Sequence, residues 1–393
     1  MRLGDAGTPL KHPAEAPLPL RPATDHANGI ATPALLVPGR ARDHVGAMSQ
    51  PLPSPAEPAP RVFAVLATYR DRSAMLEAVL ERLRDEGVAR AVVIDNGSDW
   101  GAKGPVAQAL RARFGDFTDV VDMGGNQGCA LGYARGMECA LALGADLIWL
   151  MDDDNRPTAG SLAALLDAWH AERETVGADR LVVSAVRDEH HADVLAGVPE
   201  RHLKIRWNSF GGFHVRDLAY KFWRRTRWGR PSGQAPARVR VDVTPYGGAM
   251  FHRALVARVG LPRLDFYQYG DDIEWMWRVT RAGGRIVVVT AARIEDLEES
   301  WNPTVQLSNR FSGLVAGSSA FRTYYATRNA AWFERNLCTR NRAMFALNRM
   351  VYLGLIRHYA RRAGHPERYA LIREAVADAQ AGRLSVNPRY RLP

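Results

Sequence analysis

Apolar positions along the chain follow two rhythms. Short unbroken runs at 61–67, 90–94 and 145–151 have the length and composition of strands buried on both faces. Between the first two, Leu76, Val79, Leu80 and Leu83 recur at i, i+3, i+4 and i+7, which predicts an amphipathic helix stopped by Gly87. Val120 and Val121 predict a short third strand, and the glycine-rich stretch 124–136 opens a helix that runs to residue 143. Farther on, 239–244 alternates like a strand, 254–259 forms a short helix, 270–275 opens a helix capped by its own acids, and 285–290 is another strand. On the helix after Gly270, Trp275 and Trp277 point to different faces, with at least one in the core. From residue 318 the chain reads as arginine-rich amphipathic helices.

Strands alternating with helices predict an α/β fold: a Rossmann-like, mostly parallel sheet flanked by helices. Ligands of such sheets bind at the carboxyl ends of the strands. The polar clusters 68–71, 95–98 and 152–154 all follow predicted strands, so they are expected to converge in one cleft.

The 393 residues suffice for one large domain or two ordinary ones. Residues 1–58 read as a disordered proline-rich tail, 59–310 as the catalytic domain with a basic aromatic insertion at 201–240, and 311–393 as a helical C-terminal extension. Three cysteines without a CxxC pair exclude a disulfide framework and make a structural zinc site unexpected. No apolar run reaches the roughly 18 residues that span a bilayer, and no signal peptide is expected, so the cytoplasm is the expected compartment.

Charge is distributed unevenly. The chain carries a net +10, but residues 201–240 alone hold eleven Lys/Arg against one acid, and residues 301–393 hold fifteen Arg against four acids. The remainder is therefore acidic. Uniform basicity would suggest nucleic acid; two basic appendages on an acidic body suggest a phosphate-bearing partner or an anionic membrane, with two merely solvated faces as the alternative. Phenylalanine, tyrosine and tryptophan interleave with the arginines of 201–240, which suits an interfacial segment, a mobile loop over a site, or an ordinary surface insertion.

Several residues carry candidate chemistry. Asp152, Asp153 and Asp154 are adjacent carboxylates that repel one another, and the first and third can face a single Mg²⁺ or Mn²⁺ at a turn. The alternative is an acidic loop capping the next helix. Asp271 and Asp272 offer a general base, or simply a helix cap. Asp95 and Asn96 offer a carboxylate and an amide to a nucleotide base, or a plain tight turn. Arg328 is a candidate phosphate contact or a surface residue, and His190, His191, His202 and His214 lack ligand spacing. The GxGxxG, GxxxxGK[ST] and GxSxG patterns are absent, which removes the main support for dehydrogenase, NTPase and serine hydrolase readings.

Over roughly 61–335 the motifs, taken in order, resemble a family 2 glycosyltransferase with the GT-A fold, and among its members the rhamnosyl- and galactofuranosyltransferase-like ones. Thr68-Tyr69-Arg70 is similar to its opening segment and Asp95–Ser98 to its "DNGS" turn. Asn126-Gln127-Gly128 is similar to its helix start beside the donor, Asp152–Asp154 to its D-x-D motif, and Asp271-Asp272 with Arg278 to its acid pair. Tyr324-Tyr325 with Arg328-Asn329 is similar to its post-catalytic segment. The resemblance implies Asp272 as catalytic base, and Mn²⁺ or Mg²⁺ held by Asp152 and Asp154. It also implies substrate contacts from Thr68, Arg70, Asp95, Asn96, Asn126, Arg135, Asp153, Gly248, Asp271 and Arg278. Many members carry a metal-binding histidine after the strand that follows the catalytic helix. None stands here, so Glu295 is expected as the third ligand, with Asp296 beside it, or a metal held by fewer protein groups, as the alternatives.

The resemblance thus implies an inverting, metal-dependent transfer from a UDP- or dTDP-sugar to a hydroxyl of a glycan or polyprenyl-diphosphate-linked acceptor. It implies no nucleic-acid partner, and the basic segments add peripheral contact with the inner face of the plasma membrane. A sugar-1-phosphate nucleotidyltransferase is the rival enzyme, weakened by the lack of glycine in 68–71. A non-catalytic membrane or nucleic-acid binding protein is the rival of another class, and it leaves both acidic clusters unexplained.

Overall fold

The computed structural model describes residues 59–391 except 102, 225, 230–232, 299–309 and 317–318, and gives no side chain for 310 and 312. The expected tail at 1–58 lies outside the described residues. One nine-stranded sheet forms the frame. Its first half is parallel, as the βαβ rhythm predicts. β1 (Val62–Thr68) lies between β2 (Arg90–Asp95) and β4 (Leu147–Asp152), and β3 (Thr118–Asp122) flanks β2. The second half is mixed. β8 (Ala249–His252) runs antiparallel to both β4 and β6 (Leu181–Arg187), while β6 pairs in parallel with β9 (Arg285–Asp296). β5 (Asn155–Pro157) and β7 (Arg238–Val241) pair antiparallel with β9.

Three of these strands differ from expectation. β6 and β8 are central, and neither stands out in the sequence from a buried helical segment. β9 runs past Thr290 to Asp296, because its pairing with β6 slips between Ala185 and Val186 and then resumes at Arg293. That irregularity sets Asp296 opposite Asn155, directly after the three aspartates.

Helices cover both faces of the sheet. α1 (Ser73–Asp85) buries Leu76, Val79, Leu80 and Leu83 as the spacing predicts. α2 (Pro105–Phe114), α3 (Cys129–Ala142), α4 (Ser161–Val176) and the short α5 (Ala192–Leu195) and α6 (Leu218–Trp223) follow. α7 (Arg253–Val259) precedes α8 (Asp271–Arg281), on which both tryptophans are buried. Trp275 packs on Phe251, while Trp277 meets Trp207 and Phe333.

The C-terminal helices α9 (Arg310–Ala316), α10 (Ala320–Leu337), α11 (Arg342–Arg362) and α12 (Pro366–Gln380) share a third apolar cluster with Phe210 and Phe213. The basic segment 201–240 is thus partly built into the protein. Glu334 accepts from the backbone N–H of Gly211 and Gly212 at 2.5 and 2.7 Å, and Asn348 bonds the Asn208 carbonyl and the Val215 N–H.

α3 lies flush on β1 and β2 because it presents small residues to them. A Cβ at Gly136 would stand 2.3 Å from Val65 Cγ1 and 3.2 Å from Ile94 Cγ1. Gly136→Ala gains about 1 kcal/mol of helix preference, but it overpacks a rigid seam at a cost of about 1–3 kcal/mol. The urea-unfolding midpoint should fall. An unchanged or higher midpoint would show that the sheet yields.

Candidate active site

The parallel register does what the alternation predicted. Thr68 lies opposite Asp95 and Ala67 opposite Asp152, so the carboxyl ends of β2, β1 and β4 form one rim. On that rim Asp95 is buried and its Oδ1 accepts from the N–H groups of Gly97 and Ser98, closing an Asx turn. Asn96 Oδ1 accepts from Gln127 N, its Nδ2 donates to the Gly128 carbonyl, and Asn126 Oδ1 accepts from Gly128 N. These residues hold the turn after β2 against the start of α3. Gly128 has φ +86, and a Cβ there would stand 2.3 Å from the Tyr267 carbonyl oxygen, so only glycine fits. A cavity of about 530 Å³ opens beside this loop, bordered by Asn126, Gln127, Leu131, Leu264, Tyr267 and Val386.

The three aspartates face different partners. Asp152 Oδ1 lies 2.5 Å from the Tyr133 hydroxyl, and its Oδ2 accepts from Arg187 Nη1 at 2.9 Å. Asp153 is buried and bonds Arg72 Nη1 at 2.9 Å through Oδ1, leaving Oδ2 without a partner. Asp154 stands 3.6 Å from the same Arg72 nitrogen. Burial, then the charges of Asp152 and Asp153, push its carboxyl up to about 7.

Two arginines far apart in sequence therefore clamp this loop. Arg72, between β1 and α1, also pairs with Glu298. Arg187, at the end of β6, also bonds Asp296 through Nη2 at 2.8 Å. Asp296 accepts a further bond from Asn155 Nδ2 at 2.8 Å.

The opposing wall is the loop before α8 and that helix's first turn. Asp271 is buried, accepts from the Cys129 thiol at 3.1 Å, and has an unpartnered Oδ2. Burial, then Asp272, raise it to about 7. Asp272 is partly exposed; burial lifts it to about 6, with Asp152 raising and Arg187 lowering it from across the cleft. The loop itself has two non-glycine residues at positive φ, Tyr267 (+62°) and Tyr269 (+64°), a costly backbone state. It is held there by Asn329, whose Nδ2 reaches the carbonyls of Phe266, Gln268 and Tyr269 at 2.7–2.9 Å.

Several expected site residues stand elsewhere. Glu295 points outward on β9 and pairs with Arg156, because strand alternation turns Ile294 in and Glu295 out; Asp296 is the acid that reaches the loop. Arg135 lies on the exposed face of α3 and pairs with Glu138. Arg278 donates to the carbonyls of Val259 and Leu261 and to Glu274, tying α8 to the end of α7. The N–H and carbonyl of Gly248 are both engaged within the sheet, by Leu150 and Ala185. Its neighbour Gly247 faces the acids instead: a Cβ there would stand 2.2 Å from Asn155 Oδ1 and 3.0 Å from Asp152 Oδ2.

Arg328 is neither a surface residue nor a phosphate contact. It is fully buried and donates to the carbonyls of Phe266 and Ser385. Thr68 is buried on the rim, and Arg70 has φ +61 beside Tyr69. His191 is bonded to Arg187 N and lies 3.2 Å from the Thr244 hydroxyl, and burial lowers its pKa to about 4. Sequence reasoning missed Arg72, Tyr133, Arg187 and Gly247. Arg187 had only an ambiguous signal, since it ends the stretch 181–186, apolar but for Ser184, which reads as a strand or as a buried helical segment.

Residues 64–233 match the family described as Glycosyl transferase family 2. Galactofuranosyltransferase GlfT1 of Mycolicibacterium smegmatis (strain ATCC 700084 / mc(2)155) is 29% identical over 233 residues, covering 56% of this chain and 66% of its own length. GlfT1 of Mycobacterium tuberculosis (strain ATCC 25618 / H37Rv) is 28% identical over 232 residues, covering 56% and 65%. The chain thus spans just under two thirds of the length of these curated relatives. Among solved structures, mannosyltransferase PcManGT from Pyrobaculum calidifontis in complex with GDP-Man and Mn²⁺ superposes with a TM-score of 0.43 at 17% identity, over 82% of this chain and 88% of that one. Over residues 64–233 the chain is thus similar to glycosyl transferase family 2, and over 56% of its length to these two galactofuranosyltransferases.

Proposed function

We propose that this protein is an inverting glycosyltransferase that moves a sugar, galactofuranose by analogy with the GlfT1 relatives, from a UDP- or dTDP-linked donor to an acceptor hydroxyl. The observation that carries the reading is the opposition of Asp272 to the 152–154 loop, close enough for Asp152 and Arg187 to act on its carboxyl. Asp272 takes the acceptor's proton as the acceptor oxygen bonds the anomeric carbon, and the bond to the diphosphate oxygen breaks with its electron pair leaving on the diphosphate. Asp95, Asn96 and Asn126 shape the turn that receives the nucleotide. The division near residue 310 into a catalytic domain and a helical extension is part of this proposal, as is a glycan or polyprenyl-diphosphate-linked acceptor.

The chemistry of the loop suits a hard divalent cation, Mn²⁺ or Mg²⁺. Asp152 and Asp154 supply oxygen donors, the excess negative charge lifts Asp154 to about 7, and Asn155 Oδ1 lacks a partner. Among the described residues no three His, Cys, Asp or Glu side chains form a ready-made metal centre, and the donor's diphosphate would supply further oxygen ligands. When bound, the ion neutralises charge developing on the departing diphosphate.

Asp272→Asn should lower transfer by roughly 10²–10⁴-fold while donor binding is retained. Because the base acts ionised, the wild-type rate should fall as pH drops through about 6. Severe loss in Asp271→Asn with a mild effect in Asp272→Asn would reverse the assignment.

Metal dependence has a readout in stability. The Asp154 carboxyl is raised from its ordinary 3.8 to about 7, so between these values the folded protein binds a proton that the unfolded chain does not. Metal-free stability therefore falls as pH rises through that window, and Asp154→Asn should melt a few degrees higher than wild type above pH 7. Mn²⁺ should raise the melting temperature of wild type but not of the variant. Equal stabilisation of both, or full transferase activity after exhaustive chelation, would remove the metal from the proposal.

The reading extends to a membrane surface. Phe222, Trp223 and Trp228 are 66%, 51% and 71% exposed beside Lys221, Arg224 and Arg227, and no described helix is long and apolar enough to cross a bilayer. Aromatic rings at headgroup level and about 1 kcal/mol per engaged cation give weak, reversible attachment. Co-sedimentation with anionic liposomes, lost with neutral lipid or high salt, is expected. Binding to neither lipid would leave the segment merely solvated.

A further inference from the structure

We propose that Arg187 competes with the divalent cation for Asp152 and supplies a guanidinium contact to the donor diphosphate, an inference that rests on the donor-site reading above. Its two terminal nitrogens are split between carboxylates of different strands, Asp152 after β4 and Asp296 at the end of β9. Each carboxylate therefore receives a single bond from the guanidinium, rather than the two-pronged grip that it makes on one planar partner. Its Nε is buried without an acceptor, which leaves the residue short of a partner.

The surrounding charge points the same way. Asp152, Asp153, Asp154 and Asp296 stand against Arg72 and Arg187, and Arg72 is shared with Glu298. The cluster is short of positive charge, yet Arg187 already occupies one oxygen of Asp152. A cation bound at Asp152 is repelled by the guanidinium, whereas an anion between them satisfies both. Gly247 leaves room beside the guanidinium, since a Cβ there would stand 2.6 Å from Arg187 Nη1. Arg187 also ends β6 at the same rim as the other site residues, and its charge is felt at Asp272. A lysine would keep the charge but lose the fork.

Calorimetric titration of the full metal-free chain tests this with wild type, Arg187→Gln and Arg187→Lys, each checked for a cooperative melting transition. Two ligands are used: Mn²⁺ alone, then UDP or dTDP (whichever wild type binds more tightly) at saturating Mn²⁺. Arg187→Gln should bind Mn²⁺ several-fold more tightly and the nucleotide about tenfold or more weakly, the scale of a lost charged hydrogen bond. Arg187→Lys should keep wild-type Mn²⁺ affinity and still lose nucleotide affinity, and it carries the test if the glutamine variant does not fold. Weaker Mn²⁺ binding in Arg187→Gln would make the arginine a mere support for Asp152 and overturn the proposal, as would unchanged nucleotide affinity. If wild type itself binds neither Mn²⁺ nor nucleotide, the donor-site reading falls first and this inference with it.

Discussion

Excess negative charge gathered at the carboxyl ends of buried strands is the constraint on which the rest of the site depends. Where β4 ends, Asp153 is buried and Asp154 largely shielded beside Asp152, so the crowded carboxylates need donors or, at Asp154, favour a proton. The donors come from three distant stretches of chain: Arg72 after β1, Tyr133 on α3 and Arg187 after β6. Because β9 slips in register and continues to Asp296, one more acid joins the group and fixes Arg187 from its other side. The clamp draws in the loops after β1, β4 and β6 together. It also leaves Asp153 Oδ2, Asn155 Oδ1 and Arg187 Nε without partners, an incompleteness of the kind binding sites retain.

The opposite wall is organised by hydrogen bonds to backbone rather than by charge. Residues 266–269 adopt left-handed conformations at Tyr267 and Tyr269 that would relax if unsupported. Asn329 and Arg328 on α10 satisfy the carbonyls of that loop, and Gln268 in turn accepts from Cys129 N at the start of α3. The C-terminal helices thereby support the loop that leads into Asp271 and Asp272. They also anchor part of the basic segment through Glu334 and Asn348, so the cleft, the insertion and the extension share one set of supports.

Much of this was legible in the sequence. Unbroken apolar runs identified β1, β2 and β4, and their parallel order alone brought 68–71, 95–98 and 152–154 to one rim, since ligand-facing loops follow strand ends. Helical periodicity named the buried face of α1 correctly, and the acidic motifs marked both walls of the cleft. These features depend on local spacing, which a sequence carries directly.

What tertiary structure decided is which polar side chains meet. Glu295 and Asp296 are chemically equivalent neighbours, and only the slipped pairing of β9 with β6 and its contact with β5 turn one outward and the other toward Asn155. Arg278 and Arg328 carry charges suited to phosphate, yet both are engaged by backbone carbonyls and by one neighbouring side chain each, Glu274 and Asn329. Arg187 is the converse: an arginine among 48, unmarked by any motif, placed in the cleft by a strand whose apolar run is short enough to be read either way. Composition and periodicity record what each segment tends to do by itself, whereas the pairing of charges across 35 to 226 residues of chain depends on a sheet register that no local pattern specifies.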